Sequence, residues 1–498
     1  MEHLQCRKWH DLSGINQHCP LKFTTKAFDT EKQKHVGLNH VIKLTDRDRI
    51  ESSVEGELLP CALIGAFYSS ISMPSSMLSS IRGFPQIGIS TSPALDDVSL
   101  FPLFGRTIPN DDGTSIPLLS KLKSWGVKYV AVLHVDDQYG NAFAEGIRTA
   151  SQTLALGIRV ETVDIPPGAD NNSISEAIKQ LKDTAFTYFF GVIFPEDLVD
   201  RVMMEAYNQG IAGTGYHTWL FSDSVGSTVT RKQFAIGSPL ERSYRGSGLL
   251  SATGGVPGME AFDKLSSSLG QLKENEEDQS FLVSQLPQDY PEGESVNHTI
   301  ITSDESFLEA PGFVAPFLYD AVVVLGMAAC RRASTSAIDE YFTGGELFEA
   351  FVNSTVDGAS GSVVLDPLTG TRDPQSALFS LTNFVQDEDA NVGQDNVQFK
   401  GVETNLYKSG TWDDRVPYTF NDGTNNIPAD LSYLETNPNY LSTVWKGIGL
   451  GLCGVIVVLA LGFSVWTYKY SDKHVVRASQ PFFLYIISFG ALILGKCC

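Results

Sequence analysis

Short apolar runs alternate with amphipathic stretches along residues 21–386. Short apolar runs rich in β-branched and aromatic residues predict strands, and the amphipathic stretches between them predict helices. Because this alternation is typical of parallel sheets with crossover helices, we predict an α/β fold with two lobes. The predicted strands are LKFTTKAF from Leu21, CALIGAFY from Cys61, QIGIST from Gln86, YVAVLHV from Tyr129, RVETVDI from Arg159, TYFFGVIF from Thr187 and HTWLFS from His217. The predicted helices cover residues 115–125, 141–156, 173–182 and 196–209.

Two further apolar runs lie near the end of the chain. Residues 447–466 read GIGLGLCGVIVVLALGFSVW without a charged residue, and a helix of about twenty residues spans a hydrocarbon core of about 30 Å. The second run, PFFLYIISFGALILG at residues 481–495, follows a short polar loop. We therefore predict a first transmembrane helix over 444–468, a cytoplasmic loop over 469–480 and the start of a second transmembrane helix over 481–498.

The loop between these runs carries Lys469, Lys473 and Arg477. Because cytoplasmic loops have an excess of Lys and Arg, we predict that the large N-terminal part is extracellular and that the protein lies in the plasma membrane. Export requires a signal, and residues 1–20 contain no apolar core of a signal peptide. Either the first transmembrane helix acts as the insertion signal or the true N-terminus lies upstream, and we favour the second explanation.

The remaining segments are assigned by their composition. Residues 313–330 are apolar but contain Pro316 and Asp320, so we predict a buried helix of a soluble domain rather than a membrane span. We place the extracellular ligand-binding domain at 21–410 and a linker at 411–443, and leave residues 1–20 unassigned.

Charge and chemistry exclude several classes of function. The net charge of -22 opposes binding to nucleic acid. The seven cysteines have no spacing typical of zinc or redox sites, so no metal is predicted. Cys61 is a candidate for a disulfide bond in an extracellular domain, with connectivity left open. The sequence contains no nucleophile–base pairing and no phosphate-binding glycine loop, so neither enzyme activity nor a cofactor is predicted.

Small polar residues follow several of the predicted strands. Ser69 and Ser70 end the strand that begins at Cys61, and Ser90 and Thr91 end the next one. The carboxyl ends of parallel strands are where such folds bind ligands, since helix N-termini and free N–H groups point there. The clustering of these residues at equivalent strand ends therefore predicts a shared cleft.

Several segments together resemble the receptor-family ligand-binding region, which has the type I periplasmic-binding (Venus flytrap) fold. The motifs occur in the order of that family, and the segment VVRASQPFFLYIISFG at 475–490 is similar to the first intracellular loop and second helix of class C G-protein-coupled receptors, especially GABA type B-like ones. The motifs are IGAFYSSISMPSS at 64–76, ISTSPALDD at 89–97, FPLFGRTIPND at 101–111, HVDDQYG at 134–140, FLYDAV at 317–322 and GASGSVVLDPLTGTRDP at 358–374.

The resemblance implies two lobes joined by three crossovers, near 107–110, 244–250 and 353–358. A ligand in the cleft between the lobes would stabilise the closed form, and closure would pass to the membrane helices. In the family such domains pair side by side, so a homodimer or heterodimer is implied, and the full-length receptor would engage a heterotrimeric G protein. We place lobe 1 at 21–108 and 248–355 and lobe 2 at 109–247 and 356–410.

The resemblance also implies roles for individual residues. Ser69 and Ser70 match hydroxyls that hold a ligand carboxylate, and Ser90 and Thr91 match the second such strand end. Tyr139 and Asp223 match an aromatic residue that covers the ligand and an acid that faces its amine. The expected ligand is therefore a small amino-acid-like molecule.

Three departures from the family pattern refine this expectation. Val314 stands where GABA-binding members have an acid, so an amine partner is lost unless Glu305 or Glu309 reaches the cleft. No cysteine-rich module precedes the first membrane helix, which favours the GABA type B-like branch. The opening strand and helix of the fold are expected to be missing before Leu21.

Two other functions remain open. Three sequons are relevant to whether the domain is exposed to the secretory pathway. A single-span receptor such as a receptor guanylate cyclase would share the ligand-binding domain, and a short product could be a decoy that binds ligand without signalling. The sequons at Asn171, Asn297 and Asn353 are candidate glycosylation sites in a secreted domain.

Overall fold

A computed structural model of the chain describes residues 19, 21, 23, 25–48, 59–194, 196–225, 229–272, 314–335, 342–388, 390, 392–432 and 443–496. The chain divides into two compact units, Met1–Ser432 and Tyr433–Cys498. The strands are β1 (Leu63–Ile64), β2 (Gln86–Gly88), β3 (Phe104–Arg106), β4 (Tyr129–Val135), β5 (Arg159–Ile165), β6 (Tyr188–Val192), β7 (Thr218–Phe221), β8 (Gln233–Ala235), β9 (Gly248–Ala252), β10 (Val356–Gly358), β11 (Gly361–Val363), β12 (Phe379–Gln386), β13 (Asn396–Lys408) and β14 (Thr411–Asp414). The helices are α1 (Lys34–Leu44), α2 (Ser69–Ile81), α3 (Asp111–Ser124), α4 (Gln138–Thr153), α5 (Asn171–Asp183), α6 (Glu196–Asn208), α7 (Pro239–Tyr244), α8 (Glu260–Leu272), α9 (Ala315–Thr335), α10 (Gly344–Val352), α11 (Thr443–Lys469), α12 (His474–Ala478) and α13 (Pro481–Lys496).

The larger sheet has nine strands among the described residues, in the order β14-β13-β12-β9-β7-β6-β4-β5, with β8 paired to β13. β5, β4, β6, β7 and β9 are parallel to one another, and β12 is antiparallel to both β9 and β13. Side chains of α5 and α6 bury one face, and those of α3 and α4 bury the other. Burial on both faces explains the continuous apolar runs of β4 and β6.

Side-chain caps determine where three helices of this lobe begin. The side chain of Asn110 accepts the N–H of Gly113, that of Asp137 accepts the N–H of Gly140, and that of Asp170 accepts the N–H of Ser173. Each cap satisfies an N–H group that lacks a partner within the helix. The helices therefore begin two to four residues before the predicted starts, close behind the preceding strands.

The smaller sheet contains β1, β2 and β3, which are parallel to one another among the described residues. Ile87 of β2 packs with Val324 of α9 and with Leu347 and Phe351 of α10 in one core. Burial of α9 in this core agrees with the prediction of a soluble-domain helix. Two packed sheet lobes thus confirm the predicted α/β fold with parallel sheets.

The first predicted strand, LKFTTKAF, is wrong where the structure describes it. Residues 25–30 have no regular secondary structure. Leu21 and Phe23 are instead partly buried against the core of the smaller lobe, and this burial explains an apolar pattern that was interpreted as a strand.

Two of the predicted lobe boundaries differ from the structure. Residues 248–252 form β9, which pairs with β7 and β12 of the larger sheet, so they belong to lobe 2 rather than lobe 1. Val363 of β11 and Leu365 are buried in the core of the smaller lobe, so the chain remains in lobe 1 after residue 355. The chain crosses between the lobes for the third time in the segment between Arg372 and β12. We place the crossing there because β12 pairs with β9 and β13 and so belongs to the larger sheet.

The predicted linker at 411–443 begins too early. Residues 411–414 form β14, and Tyr418 and Phe420 are buried in the core of the larger lobe. Leu431 forms an isolated bridge to Phe186, and the compact unit extends to Ser432. Aromatic residues spaced through an Asn- and Asp-rich stretch provide the contacts that hold it against the sheet.

A disulfide bond joins Cys19 to Cys330 across a sequence separation of 311 residues. Cys61 is an exposed free thiol, so the suggestion that it is bridged is wrong. The bond attaches the segment before α1 to α9, the long buried helix of the smaller lobe. It therefore adds a covalent link to the packing of Leu21 and Phe23 against the smaller lobe.

Replacing Cys19 and Cys330 together with serine is expected to lower the free energy of unfolding by about 2–5 kcal/mol, because the cross-link limits the unfolded chain. Thermal unfolding of the full chain in detergent measures the loss, with Cys61→Ser as the matched control. A double variant that unfolds at the same temperature as the control would contradict this expectation.

The second unit contains α11, α12 and α13. In the described part of the chain, Gly451–Lys469 is the segment long and apolar enough to cross a bilayer, with a mean hydropathy of 1.9. The helix that contains it, Thr443–Lys469, covers the predicted first transmembrane helix, and α13 covers most of the second apolar run.

Candidate ligand-binding site

The carboxyl ends of the parallel strands bring most of the predicted site residues to two facing edges. In lobe 1, β1 leads into α2 at Ser69, and β2 leads to Ser90 and Thr91. In lobe 2, β4 leads into α4 near Tyr139, and β7 leads to Asp223. Because β6 lies between β4 and β7, the exits of these three strands are adjacent.

The N-terminus of α2 provides backbone donors at the edge of lobe 1. Ser69 is its first residue, and the N-cap residue Tyr68 makes no capping bond with its side chain. The first N–H groups of a helix have no carbonyl partner within it and lie at the positive end of the helix dipole. Ser70 is the second residue of this helix and is only half-buried.

The serines of lobe 1 have two different roles. The hydroxyl of Ser90 is 2.8 Å from the carbonyl oxygen of Ala66 and 2.6 Å from the hydroxyl of Ser72, so it holds the loop between β1 and α2. The hydroxyl of Ser69 accepts the N–H of Ser92 at 3.3 Å. The side chains of Ser69 and Ser90 therefore stabilise the backbone around the start of α2. Of the three predicted serines, Ser70 is the most accessible.

Tyr139 and Asp223 are in direct contact. The Tyr139 hydroxyl donates to Asp223 Oδ1 at 2.8 Å and lies 3.2 Å from the Ser222 hydroxyl. Burial, reinforced by the charge of Asp223, raises the pKa of Tyr139 well above its ordinary value, so the hydroxyl keeps its proton. The structure thus brings these two predicted residues together, and their contact with a ligand stays a prediction.

Asp111 is a site residue that the sequence analysis missed. It is the first residue of α3, immediately after the first crossover, and its side chain is 2% exposed. Within the described residues, its Oδ2 atom is buried without a hydrogen-bond partner. Burial first, and then the charge of Asp223, raise the pKa of Asp111 well above its ordinary value, against the opposing effects of Thr91 and Arg106.

Thr91 connects Asp111 to lobe 1. Its carbonyl oxygen accepts the N–H of Asp111 at 2.9 Å. Its side chain also forms a hydrogen bond that opposes the rise in the pKa of Asp111. One group of neighbouring side chains, two of them acidic, therefore extends across the cleft: Thr91, Asp111, Asp223 and Tyr139. The sequence signal was the Asn-Asp-Asp run at a helix start, which indicates capping as much as it indicates a ligand.

Arg106 fixes the strand end that carries Ser90 and Thr91. Its side chain is fully buried, and one guanidinium nitrogen donates to the carbonyl oxygens of Ser90 at 2.7 Å and Ser92 at 2.9 Å. The same side chain pairs with Asp96 and donates to the Thr371 hydroxyl at 2.9 Å. Because Asp96 balances its charge, Arg106 acts as a positioning residue, and in the described part of the chain the carboxylate of Asp111 has no direct ion pair.

The remaining predicted residues lie away from this group or outside the description. Val314 is half-buried and packs against the apolar cluster around Phe317, and Glu305 and Glu309 lie outside the described residues. The side chains of Asn171 and Asn353 are exposed, and Asn297 lies outside the described residues.

A two-lobed α/β domain with facing strand ends defines a cleft-type ligand-binding domain. Residues 11–383 match the model of the receptor family ligand binding region, and the chain belongs to this family. Its similarity to metabotropic glutamate receptors supports a ligand-binding domain like the extracellular domain of class C G-protein-coupled receptors.

Three relatives illustrate this similarity. Metabotropic glutamate receptor 6 of Oryctolagus cuniculus is 28% identical over 170 residues, which are 34% of this chain and 19% of the relative. The metabotropic glutamate receptor of Drosophila melanogaster is 28% identical over 165 residues, 33% of this chain and 17% of the relative. The metabotropic glutamate receptor-like protein E of Dictyostelium discoideum is 25% identical over 222 residues, 42% of this chain and 26% of the relative. The matched segments thus span about a quarter or less of these relatives.

Proposed function

We propose that this chain binds a small amino acid in the interlobe cleft, as the extracellular domain of a plasma-membrane receptor of the class C G-protein-coupled type. The observation that carries the proposal is the separation of charge across the cleft. The uncapped N-terminus of α2 is electropositive, whereas Asp111 and Asp223 are acidic. A zwitterion with one carboxylate and one ammonium group complements both sides.

Each half of the zwitterion has a matching set of groups. Backbone N–H groups at a helix N-terminus bind carboxylates well, and the hydroxyl of Ser70 can add a charge-assisted hydrogen bond. The unpartnered oxygen of Asp111 can accept a hydrogen bond from the ligand ammonium group. The Tyr139–Asp223 pair can close over that ammonium group from lobe 2. A ligand held by both lobes stabilises the closed form, because some of its contacts exist only when the cleft is shut.

We further propose a GABA type B-like arrangement in which closure passes from the larger lobe to α11. The support is the short segment 433–442, which contains no cysteine and separates the ectodomain unit from α11. Side-by-side pairing of two ectodomains and coupling to a heterotrimeric G protein would follow in the full-length receptor. Val314 argues against GABA itself as the ligand, since an apolar side chain replaces an acid.

The second candidate is the ectodomain of a single-span receptor, such as a receptor guanylate cyclase. It is favoured by one observation, that Gly451–Lys469 is the segment in the described residues that meets the requirements of a membrane span. The ligand-binding chemistry is the same in both candidates, and the coupling of closure to the membrane distinguishes them.

Thermal unfolding of the full chain in detergent tests the proposal, since a ligand stabilises the folded state by RT ln(1 + [L]/Kd). We expect glycine to raise the midpoint, and acetate or methylamine alone to have no effect at the same concentration. Ser70→Ala is expected to weaken glycine binding about tenfold, because one charge-assisted hydrogen bond is lost. Ser267→Ala, an exposed serine on α8, is the matched control. A cooperative unfolding transition that no amino acid shifts would refute the proposal.

A further inference from the structure

Three aromatic side chains lie next to residues of the proposed amino-acid site. Phe67 and Tyr68 lie in the loop that joins β1 to α2, and Phe194 follows β6 in the other lobe. Tyr68 is the N-cap residue of α2, next to the backbone donors proposed for the ligand carboxylate. Phe194 leaves the sheet between the exits that carry Tyr139 and Asp223. Both sides of the cleft therefore place a ring beside the groups proposed to bind the amino acid.

The rings contact one another from one lobe to the other. The ring centroids of Tyr68 and Phe194 are 5.6 Å apart, and those of Phe67 and Tyr68 are 5.1 Å apart in an edge-to-face arrangement. Such separations are typical of attractive aromatic pairs. Phe67 is nevertheless 50% exposed, and an aromatic ring left half-exposed between packed elements offers an apolar surface to a further group.

The loop that carries Phe67 and Tyr68 is held in place by hydrogen bonds. The carbonyl oxygens of Ala66 and Phe67 accept the hydroxyl of Ser90 at 2.8 and 3.1 Å. Ser90 is itself held through its carbonyl oxygen by the buried Arg106. The positions of Phe67 and Tyr68 are therefore set by the same network that forms the end of α2, so the rings have a defined orientation relative to the carboxylate subsite.

The charges at this site oppose an acidic ligand side chain. Burial first, and then the charge of Asp223, raise the pKa of Asp111, and a second carboxylate on the ligand would add to the negative charge. Arg106, the cation bonded to the site, is fully buried and engaged with Asp96 and two carbonyl oxygens. Among the described residues of the site, a glutamate side chain would thus meet aromatic rings and carboxylates instead of a free cation.

We infer that Phe67, Tyr68 and Phe194 form a side-chain subsite that selects α-amino acids with an apolar or aromatic side chain over acidic ones. The inference rests on the proposed amino-acid function and specifies its ligand class. Burial of the ligand side chain against both Tyr68 and Phe194 joins the two lobes, so the subsite couples ligand identity to closure. Glycine, which has no side chain, reports on the shared amino-acid core alone.

Thermal unfolding of the full chain in detergent, with glycine, leucine, phenylalanine, lysine and glutamate as probes, tests this subsite. We expect phenylalanine and leucine each to bind at least about tenfold more tightly than glycine. Glutamate should bind more weakly than glycine. Phe194→Ala should remove the preference for phenylalanine while glycine binding persists. Phe194→Arg should reverse the order, so that glutamate binds more tightly than phenylalanine. Tyr216→Leu is the control, since Tyr216 is an exposed ring outside the site.

The possible outcomes separate the two proposals. If glycine binds but phenylalanine gains nothing over it, or if glutamate or lysine binds most tightly to the unaltered chain, the subsite is refuted and the amino-acid function stands. A preference for phenylalanine that survives in Phe194→Ala also refutes the subsite. If none of the five amino acids shifts a cooperative unfolding transition, the proposed function fails and the subsite fails with it.

Discussion

Asp320→Ala is expected to lower the free energy of unfolding by about 3–5 kcal/mol, the range found when one partner of a buried ionic network is removed. Asp320 lies in α9 and is 1% exposed. Its carboxylate accepts the N–H groups of Ala359 at 2.7 Å and Ser360 at 2.9 Å, and also the hydroxyl of Ser360. Alanine would leave these donors in the turn between β10 and β11 without their acceptor.

The cost extends to Arg372, which is also buried. Its guanidinium donates to the hydroxyl of Ser360 at 2.6 Å and to the carbonyl oxygen of Thr107 at 3.0 Å. Burial lowers the pKa of Arg372 to about 10, and the charge of Asp320 opposes that fall. Without Asp320 the buried cation loses its compensating charge. Because Thr107 lies in the first crossover, the loss would also loosen the hinge between the lobes.

Thermal or urea unfolding of the full chain measures this effect. Asp357→Ala is the matched control, because Asp357 is a nearby carboxylate on β10 that is exposed to solvent. We expect the control to change the free energy of unfolding by less than about 0.5 kcal/mol. Similar losses in the two variants would mean that the network around Asp320 contributes little to the fold.

The larger sheet shows what a hydrophobic pattern can predict. YVAVLHV and RVETVDI were predicted as strands, and the structure forms β4 and β5 over the same residues. Both strands are long, and each is followed by a loop and then a helix. In the smaller sheet, CALIGAFY contains a strand of only Leu63–Ile64, because the backbone turns toward α2 after two paired residues. Local pattern does not contain that information, since it depends on the neighbouring strand.

The lobe boundaries and the site show the same limit. β9 belongs to the larger sheet because it pairs with β12, a strand more than a hundred residues later in the chain. The disulfide between Cys19 and Cys330 likewise depends on long-range proximity. Resemblance to a known family placed Tyr139 and Asp223 in one cleft, whereas the role of Asp111 follows from its burial and its unpartnered oxygen, which are properties of the folded chain.

The Asp111→Asn variant is expected to be more stable than the unaltered protein in the absence of ligand at neutral pH, and to bind glycine about a hundredfold more weakly. Both effects have one cause, a buried carboxylate whose charge Thr91 and Arg106 offset only in part and a ligand ammonium group would balance. Loss of one partner from a buried charge pair costs about 2–5 kcal/mol of binding free energy. The residue therefore contributes to recognition at the expense of the unliganded fold, a known trade-off at functional sites.

The pH dependence of stability follows from the raised pKa of Asp111. Below about pH 4, the ordinary pKa of an aspartate, the carboxyl group is protonated in both the folded and unfolded states and costs nothing. As the pH rises from there toward the folded pKa, the unfolded state loses its proton first, so stability falls. Each unit by which the folded pKa is raised costs about 1.4 kcal/mol once both states are ionised.

Unfolding midpoints between pH 4 and pH 8, with and without glycine, test this account. The charged and titratable groups that face Asp111 are Asp223, Tyr139, Arg106 and Asp112. Asp112→Asn, which removes the adjacent exposed carboxylate, is therefore the matched control. We expect Asp111→Asn to remove part of the decline in stability with pH and nearly all of the glycine effect, while the control keeps the glycine effect. Glycine binding that is unchanged in Asp111→Asn would exclude this carboxylate as the partner of the ligand ammonium group.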